Sequence, residues 1–92
     1  MRLDLFLKAS RLVLRRTVAQ AMCDAGRVKV NGAVARSARS VQIGDEIALQ
    51  RGERVLAVRI LKVPTLRQTS RQEASTLYEI LRSVETADES VI

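Results

Sequence analysis

The residues with the clearest chemistry in this 92-residue chain are arginines: Arg2, Arg11, Arg15 and Arg16 lie in the first sixteen positions, with Lys8 among them. A guanidinium group presents a planar fork of donors that suits phosphate oxygens and can stack on an exposed base. Other chemistries lack their parts. The sequence holds no His, and Cys23 is its single cysteine. That removes the commonest general base, the usual metal ligand, thiolate metal clusters, an internal disulfide and every Ser/His or Cys/His nucleophile pair. Cys23 reads as a small packing residue at the margin of a helix stripe. Enzymatic activity is not expected, and neither is a cofactor.

The charge is one-sided. Residues 1–40 carry nine cations against Asp4 and Asp24, a balance of +7; residues 41–64 balance at +1 and residues 65–92 at −2. A field of that sign over one half of the chain calls for an anionic partner there. For Arg36, Arg39, Arg54 and Arg59, plain solvation accounts for the charge equally well.

Positioning these groups requires a fold, and the apolar pattern supplies one. Leu3, Phe6 and Leu7 fall at helical spacing and predict a first short helix, with Asp4, Lys8 and Arg11 on its other faces. After a break at 14–17, Thr17 and Gln20 have the form of a capping box, and Thr17→Ala should then cost about 1 kcal/mol. The second helix that follows should bury Val18, Ala21, Met22 and Ala25, ending at Gly26 as a left-handed cap. Alternation then takes over. Val28, Val30 and Val34 are separated by Arg27, Lys29 and Asn31, and Asn31-Gly32 is a tight-hairpin signal. Runs at 46–49 and 55–63 read as two longer antiparallel strands, the second closed by Pro64.

Beyond a polar linker at 65–69, Ser70 and Glu73 repeat the capping pattern, and Ala74, Leu77, Tyr78 and Leu81 form a helical stripe. A C-terminal helix is expected there, folded as a flap onto the domain's own core, and then an acidic frayed tail from Val84. The expected class is α+β: an αα-hairpin on a small antiparallel sheet, with residues 1–64 as the domain and 65–92 as linker, C-terminal helix and tail. With aromatics limited to Phe6 and Tyr78, the core must be aliphatic. No stretch reaches the roughly 20 apolar residues of a membrane span, and the N-terminus lacks a signal-peptide core. The chain is expected to be soluble, cytoplasmic and away from membranes.

The site follows from this layout. Arg11, Arg15 and Arg16 precede the second helix, whose first N–H groups and dipole favour an anion. Arg27 and Lys29 should project from the outer face of the first strand, where Arg36 and Arg39 could extend one continuous basic patch. Arginines splayed apart, or locked into internal carboxylate pairs, would not make such a cradle. With so few aromatics for base stacking, structured RNA fits better than an unstacked single strand. A DNA-reading second helix would want polar side chains that Ala19, Gln20, Cys23 and Asp24 supply poorly.

At these residues the sequence resembles the S-four RNA-binding domain family. The matching segments are Arg2-Leu-Asp-Leu-Phe-Leu-Lys8, Arg11, Arg15-Arg16-Thr17, Ala25-Gly-Arg-Val-Lys-Val-Asn-Gly32, Val41 and Gly44-Asp45. They cover roughly residues 1 to 50. Within that family the Met1-Arg-Leu-Asp4 start and the Leu77-Tyr-Glu-Ile-Leu81 segment resemble the stand-alone RqcP group of ribosome-quality-control factors. The resemblance implies an S-four fold and a positioning factor without chemistry of its own. Its partners would be rRNA of a large ribosomal subunit obstructed by peptidyl-tRNA, that tRNA, and an RqcH-like factor that adds alanines to the stalled chain. It also implies that Arg2, Arg11, Arg15 and Arg16 touch RNA, with Lys8 and Arg27 as lesser contacts; Lys29 joins them from its place on the first strand, and a monomer is expected. Leu5 and Leu14 depart from the polar or basic residues expected at their positions. The alternatives are a heat-shock protein fifteen-like recycling factor, against which the short acidic tail argues, an accessory module of an RNA-modifying enzyme, and a DNA-binding regulator.

Overall fold

The structure, a computed structural model, describes residues 1–64 and 70–85. Its elements run α1 (Leu3–Ala9), α2 (Arg16–Asp24), β1 (Val28–Val30), β2 (Ala33–Val34), β3 (Glu46–Arg51), β4 (Arg54–Ile60), α3 (Arg71–Thr76) and β5 (Tyr78–Glu85). The strands form one antiparallel sheet in the order β2-β1-β3-β4-β5. The α1-α2 hairpin covers one face of it, and between the two layers lies an aliphatic core around Phe6. The α+β expectation therefore holds.

Helix α1 buries Leu3, Phe6 and Leu7 completely, as their spacing requires. Its N-cap residue, Arg2, makes no side-chain cap bond. Instead Leu3 N–H donates to the Arg39 carbonyl at 2.8 Å and Asp4 N–H to the Ser37 carbonyl at 3.1 Å, so the loop before β3 closes the helix start. Arg11, at φ +60°, reverses the chain after the helix. The Arg51 guanidinium reaches back to the Leu12 carbonyl and ties the inter-helix loop to the sheet.

Helix α2 differs from expectation in two ways. It starts at Arg16 with Arg15 as N-cap and no side-chain cap, so the Thr17–Gln20 capping box does not form. Its buried stripe is Ala19, Met22 and Cys23, while Ala21 and Ala25 are exposed and Val18 keeps 45% of its surface. Both stripes obey the helical period and share Met22. Ala19 and Cys23 are small enough to let the helix sit close to its neighbours, a packing preference that local hydrophobicity does not encode. The C-terminus matches the expectation: at Gly26, φ +74°, its N–H bonds the Cys23 carbonyl and Arg27 N–H bonds Met22, satisfying the last carbonyls.

The Asn31-Gly32 turn has φ values of +52° and +85°, the type I′ geometry that matches strand twist. Asn31 also accepts from Glu46 N–H at 3.0 Å and donates to Asp45 at 3.2 Å, fastening the hairpin to the start of β3. Val34 is 60% exposed, and the next residue, Ala35, is buried.

The C-terminal segment requires the largest correction. Ser70 caps α3 by accepting from Glu73 N–H at 3.1 Å, but the helix stops at Thr76. Leu77 to Leu81 do not continue it: Tyr78 begins β5, which pairs with β4 from Ile60↔Tyr78 to Arg54↔Glu85. Unpaired, β4 would expose a long edge of donors and acceptors, and this distant pairing removes it. Ala74 and Leu77 are buried and Tyr78 packs on the core, so the segment does fold onto the domain, as strand more than as helix. Val84, expected in a frayed tail, lies in the sheet, while 65–69 and the rest of the tail from residue 86 lie outside the described residues. Strand β4 itself ends at Ile60, short of Val63, where Leu61 and Lys62 N–H groups turn to the Leu77 carbonyl.

Candidate nucleic-acid interface

The centre of the site is Asp4, a fully buried residue on α1. Its Oδ1 accepts from Arg2 Nε at 3.1 Å and from Leu5 N–H at 2.8 Å. Its Oδ2 accepts from Arg2 Nη2 at 3.2 Å, Arg16 Nε at 3.1 Å and Gln20 Nε2 at 2.9 Å. Burial opposes ionisation of this carboxyl, but hydrogen bonds from Gln20, Arg16 and Arg2, together with the Arg2 charge, outweigh it and hold the group below the ordinary carboxylate range. Asp4 is thus a charged anchor between the start of α1 and the start of α2.

Two guanidinium groups share this one carboxylate, so the cluster retains one net positive charge. The Arg2 and Arg16 side chains keep 44% and 40% of their surface. Arg16 is held through Nε, and its two terminal nitrogens have no hydrogen-bond partner among the described residues. A guanidinium pinned at Nε with its terminal nitrogens facing water is oriented for an external anion. The arginines are therefore neither splayed nor fully consumed by internal pairing, although a single Asp4 does pair with both.

The start of α2 reinforces the cluster. With no side-chain cap, its first-turn N–H groups remain available at the positive end of the helix dipole, beside Arg15 and Arg16. Gln20 is drawn to Asp4, and the capping box would have occupied these donors.

The remaining expected residues divide. Arg15 is exposed at the α2 N-cap, Lys8 is exposed on the last turn of α1, and Arg11 is exposed on the loop between them. Arg36 and Arg39 lie on the loop that closes the α1 start, and Arg2 bridges Ser40 beside them. Lys29 points the other way. Its neighbours Val28 and Val30 face the helices, so its side chain stands on the helix-free face of the sheet. Arg27, in the turn between α2 and β1, borders the exposed side of α2 and the outer sheet groove alike. The single continuous basic patch is therefore two surfaces with Arg27 at the seam. Arg59 lies between Glu46 and Glu79, 3.1 Å from each, an exposed pairing within the sheet.

Sequence reasoning placed Asp4 on a solvated face and Gln20 in a cap; their signal was the acid between two basic residues in Arg2-Leu-Asp-Leu-Phe-Leu-Lys8, whose partners only folding identifies. Cys23 is buried, and desolvation, with Asp4 and Asp24 nearby, raises its thiol above the ordinary value, in keeping with a packing role. Among the described residues no group of three or more His, Cys, Asp or Glu could hold a metal, and no helix is long and apolar enough to cross a membrane.

Comparison with known proteins identifies the family. Residues 1–47 match the S4 domain, the same domain as the S-four family whose motifs the sequence carries. A protein of Halalkalibacterium halodurans called RQC P-site tRNA stabilizing factor is 48% identical over 81 residues, covering 87% of this chain and 89% of that one. A Bacillus subtilis protein of the same name is 39% identical, over 89% of this chain and 93% of its own. Among solved structures, the trimeric Heat Shock Protein 15 of Vibrio cholerae superposes with a TM-score of 0.79 at 35% identity, over 87% of this chain and 80% of that one. A solution structure of the hypothetical protein HP1423 gives 0.78 at 33% identity, over 89% of this chain and 98% of the other. The match over residues 1–47 and the identity to these relatives along most of both chains place the chain in the S4 domain family, within the group that holds the RQC P-site tRNA stabilizing factors.

Proposed function

We propose that this protein is a non-catalytic RNA-binding factor of ribosome quality control. It binds large ribosomal subunits obstructed by peptidyl-tRNA, contacts rRNA and tRNA, and supports alanine tailing of the stalled chain by an RqcH-like partner. The observation that carries this reading is the Asp4 cluster, which holds Arg2 and Arg16 together beside the open start of α2. Charge-assisted bonds from oriented guanidinium groups are about twice as strong as neutral ones, and preorientation lowers the entropic cost of making them. The names of the relatives, which specify a P-site tRNA, support the choice of RNA partner.

The protein acts in this reading by position. Arg16 and Arg2 engage backbone phosphates, with Arg15, Arg11 and Lys8 as the surrounding cationic rim, and Arg27 and Lys29 contribute from the side and the outer face. Such contacts fix register and orientation and carry little sequence information, as suits recognition of a folded RNA by shape.

The test is cosedimentation of the purified chain with large subunits carrying peptidyl-tRNA, with empty large subunits, and with duplex DNA as competitor. Preference for the obstructed subunits, and an affinity that falls by about 0.7 to 0.9 log units per log unit of salt for each phosphate engaged, is the expected result. Equal affinity for duplex DNA, or a flat salt response, would overturn the reading.

A further inference from the structure

The helices cover one face of the sheet and leave the other open. On the open face the strand register aligns Lys29 of β1, Ala48 of β3, Ala57 of β4 and Arg82 of β5 in one row. The two central positions are alanines, so the row is a trough: its floor lies near the backbone, Lys29 and Arg82 form its walls, Arg27 and Gly26 sit at its rim, and Glu46 on one side and Gln50 and Val55 on the other complete its lining. Three strand spacings put the Cα atoms of Lys29 and Arg82 roughly 14 Å apart. Lys29, Arg82 and Arg27 are exposed, and none has a carboxylate partner among the described residues. The adjoining row on one side is Glu46, Arg59 and Glu79, paired with one another, and the row on the other side includes uncharged Gln50 and Val55.

We propose that this trough is a second RNA-backbone site, separate from the Asp4 cluster and turned away from it, so that one small domain can hold two stretches of RNA at once. The proposal rests on the RNA-binding reading above and deepens it. A ribose-phosphate strand needs what the row provides: cations that can close on phosphates from both sides, and a floor low enough to admit the sugar. The Glu46, Arg59 and Glu79 row, with one net negative charge, bounds it on one side. A protein partner would want large apolar anchors, and the apolar side chains on this face of the trough are small, Ala48, Ala57 and Val55.

Four variants of the full chain test this, each checked for folding by thermal melt and measured by cosedimentation with large subunits carrying peptidyl-tRNA. Lys29→Gln/Arg82→Gln should weaken association by about tenfold or more and reduce the salt slope by about 1.4 to 1.8, the loss of two phosphates. Lys62→Gln/Arg71→Gln removes the same charge elsewhere and should stay within about twofold of the parent. Ala48→Gln, which fills the trough without changing charge, should weaken association while leaving the salt slope closer to that of the parent. Arg2→Gln/Arg16→Gln reports on the other face. If it alone weakens association, the trough proposal falls and the RNA-binding reading survives; if neither cation pair matters, both fall. Loss in Lys29→Gln/Arg82→Gln no greater than in Lys62→Gln/Arg71→Gln, or Ala48→Gln binding like the parent, would likewise overturn the trough.

Discussion

Arg16 Nε lies 3.1 Å from Asp4 Oδ2, joining the first turn of α2 to the first turn of α1 through a carboxylate that has no solvent exposure. The relationship predicts a sign. Asp4→Asn adds a positive charge beside the proposed phosphate site, so simple attraction would strengthen RNA binding. If Asp4 acts by orienting Arg2 and Arg16, binding weakens instead, by about 1 kcal/mol or roughly fivefold. Cosedimentation with large subunits decides between them, and the effect should vanish in an Arg2→Gln/Arg16→Gln background. A drop of similar size in that background would mean that Asp4 serves folding alone.

The same carboxylate predicts a pH dependence. Its folded-state pKa is depressed, so its contribution to stability is complete above its unfolded value, about 3.9, and is lost as pH falls through the folded value. The melting temperature should lose this contribution on acidification below about pH 4, and Asp4→Asn should show a shallower acid limb. Parallel acid limbs in the two proteins would refute the assignment.

Arg16→Ala should weaken association with large subunits and leave the fold intact, because Asp4 keeps Arg2, Gln20 and Leu5 N–H as partners. Arg16→Lys should recover only part of the affinity, since an ammonium group cannot engage Asp4 through Nε and also present two parallel donors outward. Full recovery with Lys would reduce the role of Arg16 to charge alone.

Two capping positions should behave oppositely. Thr17 caps nothing, so Thr17→Ala should change stability by less than about 0.5 kcal/mol. Ser70 accepts from Glu73 N–H, and Ser70→Ala should cost about 1 kcal/mol. Urea melts of the two variants compare them directly, and a larger loss for Thr17→Ala would contradict the observed start of α2.

Elements held by local rules are legible in the sequence. Leu3, Phe6 and Leu7 declare α1, Gly26 its neighbour's end, and Asn31-Gly32 the hairpin, because each depends on residues within a turn of itself. Where two local patterns are equally good, nothing nearby in the chain selects between them. Val18-Ala21-Met22-Ala25 and Ala19-Met22-Cys23 are both helical stripes, and the choice is made by how closely α2 can approach its neighbours. Leu77 to Leu81 fit a helix as well as a strand, and an unpaired edge on β4, distant in sequence, selects the strand.

The candidate site divides along the same line. The sequence by itself determined its chemistry: arginines concentrated before α2, no histidine, one lone cysteine and a basic front half. Tertiary structure alone decided which arginines meet. Asp4, Arg16 and Gln20 converge because two helices pack at their N-terminal ends, and Lys29 parts from Arg2 because strand alternation sends it to the opposite face. Charge and propensity are properties of residues and can be read in order along the chain, whereas convergence on one buried carboxylate is a property of packing, which exists only once distant segments touch.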